Sequence, residues 1–133
     1  MKLLLDTHIW LWSHLEPQRL APRVARALID PSNELWLSPV SVWEAGIFQQ
    51  KGRVRLDSSM EAWHSAATLR VPVLEAPLNS EVALASLRLA VPIQDPADRF
   101  LAATAEVYGL TLVTADVQLA RTPGIDVLLN KGS

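Results

Sequence analysis

A short apolar run that ends abruptly in an acid constrains the fold more than any other feature of this chain. Leu3, Leu4 and Leu5 predict a buried strand, Asp6 follows at its end, and a helix-like pattern begins directly afterwards. In open α/β sheets, ligands bind outside the carboxyl ends of the strands. Asp6 therefore lies where a site is expected, and the question is whether other acids reach the same edge.

Predicted strands and helices alternate along the whole chain. The strands cover residues 2–6, 34–37, 71–74, 111–114 and 125–129, and the helices cover residues 8–14, 22–29, 39–51, 59–69, 80–89 and 99–108. Alternation of this kind predicts an α/β fold with a mostly parallel sheet that is covered by helices on both faces. Pro72 places the third strand near an edge, because proline cannot donate to a strand ladder.

Several helix starts carry side chains that can accept a hydrogen bond from a free backbone N–H. The predicted N-caps are Thr7, Ser38, Ser58 (in a capping box with Glu61), Asn79 and Asp95. Pro39 and Pro96 are tolerated in the first turns that follow. Gly52 and Gly109 suit the ends of helices, and Pro92 is expected to end the helix before it.

Length and composition favour one folded domain spanning residues 1–133. The chain is 50% hydrophobic and 20% charged, so a disordered chain is not expected. It has no cysteine, which excludes disulfides and thiolate metal sites. No apolar run approaches the roughly 18 residues of a membrane span, and the N-terminus does not resemble a signal peptide. We therefore expect a cytoplasmic protein without membrane contact.

Four acids occupy positions where strands end or helices begin. Asp6 and Asp116 follow apolar strands, Asp98 lies in the first turn of a helix, and Glu44 lies in the second turn of the helix that starts at Pro39. Each has a simple structural explanation as a cap, an Asx turn or a partner of the helix dipole. Jointly, they are expected to meet at one sheet edge.

Clustered carboxylates repel one another, and this raises their pKa values. Hard divalent cations resolve the repulsion, since Mg²⁺ and Mn²⁺ prefer carboxylate and water oxygens. A metal held in this way activates water and stabilises an in-line phosphoryl displacement. Cleavage of a phosphodiester is the natural chemistry for such a site. The net charge of −2 argues mildly against a purely structural nucleic-acid coat, which would be basic.

Four stretches, taken together, resemble a known family. They are residues 4–8 (LLDTH), 37–44 (LSPVSVWE), 95–105 (DPADRFLAATA) and 109–116 (GLTLVTAD). In order and spacing they are similar to PIN-domain ribonucleases, of the kind that serve as the toxin of VapBC toxin–antitoxin pairs. The resemblance covers essentially the whole chain. It implies a parallel five-stranded sheet between helices, RNA as substrate, a homodimer and a small antitoxin protein as partner.

The resemblance also assigns roles to individual residues. It implies that Asp6 and Asp98 are the main ligands of Mg²⁺ or Mn²⁺, and that Glu44 and Asp116 bind through waters or orient the attacking one. Residues expected to support these ligands are Thr114, whose hydroxyl lies beside the metal in the family, Thr7, and Asp95, which is also a cap. Candidates for RNA contacts are Arg99, Lys51, Arg53 and Arg55, although solvated loop charges or a pairing of Arg99 with a carboxylate also explain them simply.

Two aromatic residues and a histidine of the first predicted helix have open roles. Trp10 and Trp12 are candidates for a dimer or antitoxin surface, because exposed aromatic patches mark interfaces. His8 lies two residues beyond Asp6, and either touches substrate or packs at the start of the helix.

Two other functions remain as alternatives to the nuclease. An aspartyl-phosphate phosphatase also places an acid after the first strand, but its chemistry needs a second acid two residues later, where this chain has His8. A binding module with the acids as simple caps would bind no divalent cation at this site. Dinucleotide binding is disfavoured, because no Gly-x-Gly-x-x-Gly follows any strand.

Overall fold

The computed structural model describes residues 1–89, 93 and 95–131. Within them, five strands alternate with seven α-helices. The strands are β1 (Lys2–Leu5), β2 (Glu34–Leu37), β3 (Leu74–Glu75), β4 (Thr111–Thr114) and β5 (Asp126–Leu129). The helices are α1 (Thr7–Leu15), α2 (Pro22–Ile29), α3 (Pro39–Gln50), α4 (Met60–Arg70), α5 (Ser80–Leu87), α6 (Pro96–Tyr108) and α7 (Val117–Ala120), and a 3₁₀ turn (Pro17–Arg19) follows α1.

The strands form a single parallel sheet in the order β3-β2-β1-β4-β5, counted over the described residues. β1 is central: its Leu4 pairs with Trp36 of β2 on one side and with Leu112 of β4 on the other. The chain moves outward from β1 through β2 to β3, then returns to the other side of β1 to form β4 and β5. The crevice between the carboxyl ends of β1 and β4 is therefore the switch point where ligands bind in such sheets.

Helices cover both faces of the sheet, as the alternation predicted. Successive side chains of β1 point to opposite faces. Leu3 and Leu5 pack into a core with Trp10 of α1 and Trp63 of α4. Leu4 packs on the other side, with Leu101 of α6 among its neighbours in that core. The predicted α/β class and the five-stranded parallel sheet are confirmed.

Trp10 lies in the core, so its predicted place on a partner surface is wrong. Its side chain is 1% exposed, and its ring packs edge-on against Trp63 with the centroids 5.1 Å apart. The helix pattern of α1 is apolar nearly all round, and only tertiary packing decides which side faces the sheet. Among the described residues, no helix is long and apolar enough to cross a membrane.

Two predicted caps are displaced by one residue. Asp6, and not Thr7, caps α1, since its carboxylate accepts a hydrogen bond from the Ile9 N–H at 3.1 Å. Ser59, and not Ser58, caps α4 by accepting from the Ala62 N–H at 3.2 Å. In both places two adjacent residues can cap, and a shift of one residue in the backbone decides between them.

Some predicted boundaries also change. The strand predicted for 71–74 is shorter and lies later, at Leu74–Glu75, because Pro72 cannot donate to the ladder and β3 lies at the edge of the sheet. The helix predicted for 80–89 ends at Leu87, whereas α6 begins at Pro96 after the predicted cap Asp95. The expected stop at Pro92 falls outside the described residues.

Candidate active site

Asp6 stands at the carboxyl end of β1, where both of its carboxylate oxygens accept hydrogen bonds. Its Oδ1 accepts from the Ile9 N–H, and its Oδ2 accepts from the Thr114 hydroxyl at 2.5 Å. Asp6 is 7% exposed and Thr114 is fully buried. The end of β1 is thereby joined to the end of β4, and the Asp6 side chain is held in one orientation.

Asp116 is placed by the same threonine. The Asp116 backbone N–H donates to the Thr114 Oγ1 at 3.0 Å. The Asp116 carboxylate in turn caps α7, accepting from the N–H groups of Gln118 at 2.8 Å and Leu119 at 3.2 Å. A single buried hydroxyl therefore links the carboxylate of Asp6 with the backbone of Asp116.

Glu44 reaches the same edge from α3. Ser38 caps this helix as predicted, accepting from the Val40 N–H at 3.0 Å. The buried Thr7 hydroxyl donates to the Ser41 hydroxyl at 3.1 Å, which joins the start of α1 to the first turns of α3. Thr7 therefore fixes the position of the helix that carries Glu44.

Asp98 arrives from the first turn of α6. Asp95 caps this helix, accepting from the N–H groups of Ala97 at 2.8 Å and Asp98 at 3.4 Å. Asp95 is exposed, whereas Asp98 is half-buried. Asp95 is therefore the N-cap of α6, as predicted.

All these acids surround one open cavity of about 410 Å³. Its walls bring together residues from the ends of β1 and β4 and from helices α1, α3 and α6. Arg53 is the single lysine or arginine among the described residues that line it. The acids on its walls are Asp6, Glu44, Asp95, Asp98 and Asp116.

Burial raises the pKa values of three of the acids, and for Asp98 and Glu44 the charges of neighbouring acids add to the effect. Burial, followed by the charges of the other acids, raises the pKa of Asp98 to about 7. Burial is also the main cause that raises the pKa values of Glu44 and Asp6, and for Asp6 it acts against the lowering effect of the hydrogen bond from Thr114. Such perturbed groups in a cleft mark a functional site more often than a structural one.

The donor set around the cavity fits a hard divalent cation. It consists of carboxylate and hydroxyl oxygens without sulfur, which is the chemistry that Mg²⁺ and Mn²⁺ prefer. In the part of the chain that the structure describes, however, no group of three or more His, Cys, Asp or Glu side chains is already arranged to hold a metal ion. A cation bound among them would offset the repulsion between the carboxylates, which adds to the raised pKa values of Asp98 and Glu44.

The predicted RNA-contact residues are placed differently from one another. Arg53 lines the cavity, whereas Lys51 is exposed at the C-terminal end of α3 and does not line it. The Arg99 guanidinium donates to the carbonyl oxygens of Ile93 at 3.0 Å and Ser86 at 2.6 Å. It thereby ties α6 to the end of α5.

Two aromatic side chains that the sequence analysis did not place at the site line the cavity. Trp12 lies four residues after His8 on α1, and Phe48 lies four residues after Glu44 on α3. Residues four apart share one face of a helix. The spacing from Glu44 could have identified Phe48, and the spacing from His8 could have identified Trp12 once His8 was taken to face the site.

Comparison with known proteins agrees with this geometry. The family model for the PIN domain matches residues 3–125. Ribonuclease VapC22 of Mycobacterium tuberculosis (strain ATCC 25618 / H37Rv) is 31% identical over 117 residues, which cover 88% of each chain.

Solved structures share the fold at lower identity. The chain superposes on a protein of the VapBC2 complex from Rickettsia felis, crystallised with a DNA fragment from its promoter, with a TM-score of 0.72 and 15% identity over 97% of this chain and 98% of that one. A chain of VapBC-1 from nontypeable Haemophilus influenzae gives a TM-score of 0.66 and 23% identity over 97% and 98%. With the family model matching most of the sequence, the protein belongs to the PIN-domain family.

Proposed function

We propose that this protein is a metal-dependent endoribonuclease and acts as the toxin of a toxin–antitoxin pair. The observation that carries the proposal is the gathering of acids from four separate elements around one cavity of about 410 Å³. The relative that shares 31% identity with it is named a ribonuclease, which supports the same reaction. The resemblance stated from the four sequence motifs agrees with both.

Asp6 and Asp98 would hold the metal, and we propose Mg²⁺ or Mn²⁺ as its identity. When bound, such an ion lowers the pKa of a coordinated water and offsets negative charge on the phosphate. Asp6 is kept in place by Ile9 and Thr114, so one ligand is pre-oriented. Glu44 and Asp116 stand on the walls of the same cavity, where each can accept a hydrogen bond from the attacking water.

We also propose a small antitoxin protein and a second copy of this chain as partners, in the cytoplasm. One structure that shares this fold is a toxin–antitoxin complex from Klebsiella pneumoniae, and VapBC structures that share it include two that were crystallised with DNA. Large apolar side chains that remain exposed here, among them Leu69 at 85% and Leu87 at 77%, are available for such contacts.

The phosphatase alternative is not favoured by the geometry. Its nucleophile would be Asp6, and that chemistry requires a second acid two residues later, where this chain has His8. The other alternative, an inactive binding module, predicts no RNA cleavage in the following experiment, with or without metal.

The test is cleavage of RNA by the purified chain in chelator, in Mg²⁺ and in Mn²⁺. We expect cleavage only with the metals, and a loss of at least a hundredfold in Asp98→Asn, whose side chain keeps its shape but loses its charge. Asp126→Asn is the matched control, because Asp126 is exposed at the opposite end of the sheet, at the start of β5. Cleavage that continues in chelator, or that survives in Asp98→Asn, contradicts the proposal.

A further inference from the structure

A second groove opens directly beside the acidic cavity. It has a volume of about 590 Å³ and is formed by α1, the 3₁₀ turn and the segment that follows α3. His8, Trp12, Phe48 and Arg53 line both spaces, so the two lie side by side. Any polymer whose reacting phosphate lies among the acids can extend into this groove.

The charge of the groove is opposite to that of the cavity. Three arginines line it, Arg19, Arg53 and Arg55, all of them exposed. Its one acid is Glu16, which is paired with Arg19 at 3.5 Å. The described lining therefore carries an excess of positive charge, next to a cavity with five acids and one arginine. This arrangement suits a chain of phosphates of which only one is drawn to the metal.

Aromatic rings run from the cavity into the groove in a continuous series. The Phe48 and His8 rings lie 5.2 Å apart, and the His8 and Trp12 rings 5.7 Å apart. The Arg19 guanidinium then lies 4.3 Å from the centre of the Trp12 ring. Nucleobases stack on aromatic rings and on guanidinium planes, and proteins that bind single strands combine such surfaces with arginines that contact the backbone.

We propose that this groove binds the single-stranded RNA that flanks the scissile phosphate. The bases stack on the series Phe48, His8, Trp12 and Arg19, and the phosphates contact Arg53 and Arg55. This inference rests on the proposed function, because it takes RNA as the substrate. It extends that function by assigning the flanking nucleotides a place and by requiring that they be unpaired, since paired bases cannot reach the rings.

The test measures binding separately from cleavage. In the Asp98→Asn chain, fluorescence anisotropy reports the affinity for a labelled single-stranded RNA, for the same RNA annealed to its complement, and for polyglutamate. We expect the single strand to bind more tightly than the duplex or the polypeptide. The affinity falls as the salt concentration rises, and Arg55→Gln should make this dependence less steep. The magnitude of the slope of log affinity against log salt should fall by about 0.7, the value for one lost phosphate contact on a single strand.

Matched variants isolate the groove from general surface charge. Arg26→Gln is the control for Arg55→Gln, since Arg26 is exposed on α2 and lines neither space. Trp12→Leu should weaken binding of the single strand about tenfold, whereas Trp43→Leu, at an exposed ring of α3 outside both spaces, should not. Arg55 is exposed, so its variant stays informative if Trp12→Leu does not fold.

The outcomes separate this inference from the proposed function. Groove-dependent binding of the single strand supports the inference even if the chain cleaves no RNA. Metal-dependent cleavage with unchanged affinity in Arg55→Gln and Trp12→Leu overturns the inference and leaves the proposed function standing. Tighter binding of polyglutamate than of RNA, with the same dependence on Arg55, also overturns it, because the groove would then be a site for an acidic peptide.

Discussion

Thr114 offers the sharpest test of how the site is held together. Its hydroxyl donates to the Asp6 carboxylate at 2.5 Å and accepts from the Asp116 N–H at 3.0 Å, and the side chain is fully buried. Thr114→Val keeps the shape of the side chain and removes both hydrogen bonds. It leaves an oxygen of the nearly buried Asp6 carboxylate and one backbone N–H without their partner.

The cost can be worked out from these two contacts. A hydrogen bond to a charged group contributes about 1.5–3 kcal/mol and a neutral one about 1 kcal/mol, so the free energy of unfolding should fall by about 3 kcal/mol. Urea denaturation in chelator, followed by tryptophan fluorescence, measures this difference. The slope of the transition should be unchanged, because the substitution does not alter the area buried on folding.

Thr104→Val is the matched control for this experiment. Thr104 is also fully buried, but its hydroxyl donates only to the Phe100 carbonyl of its own helix, at 2.6 Å. Its loss should cost about 1 kcal/mol. If Thr114→Val is no more destabilising than Thr104→Val, the hydroxyl does not join the two strand ends in the way described here.

Two further predictions concern the charge of the site and the end of α6. The folded state raises the pKa of Asp98 to about 7 from an ordinary value of 3.8, so it binds this proton more tightly than the unfolded chain does. The resulting stability is fully present below pH 3.8 and is lost as the pH rises through about 7. Urea titrations at several pH values should show this loss. If the difference in the free energy of unfolding between the chain and Asp98→Asn does not grow as the pH rises, the prediction is refuted. Gly109 ends α6 with a φ of 64°, so Gly109→Ala should lower the free energy of unfolding by about 1 kcal/mol, and an unchanged urea midpoint would show that this conformation carries no strain.

Local patterns were sufficient to predict the framework of this fold. The runs that form β2 and β4 are apolar and short, and α2 has the predicted bounds Pro22–Ile29. Asp95 followed by Pro96 predicted a helix start that the structure shows. These features depend on side chains and backbone groups within a few residues of one another, and a single sequence contains that information.

Features that depend on distant contacts were predicted less well. Nothing local distinguishes the buried Trp10 from the half-buried Trp12 two residues later, because the sheet and α4 decide which side of α1 is covered. The bond between Thr114 and Asp6 joins residues 108 positions apart. The resemblance to a family predicted a hydroxyl beside the metal, but not that this hydroxyl holds two of the acids in place.

The central claim is that acids from separate elements form one metal site. Anomalous diffraction from a crystal of the chain soaked in Mn²⁺ tests it most directly. The account predicts a manganese peak inside the acidic cavity, within ligand distance of the carboxylates of Asp6 and Asp98. A peak elsewhere, or a cavity that stays empty at Mn²⁺ concentrations that support cleavage, would contradict it.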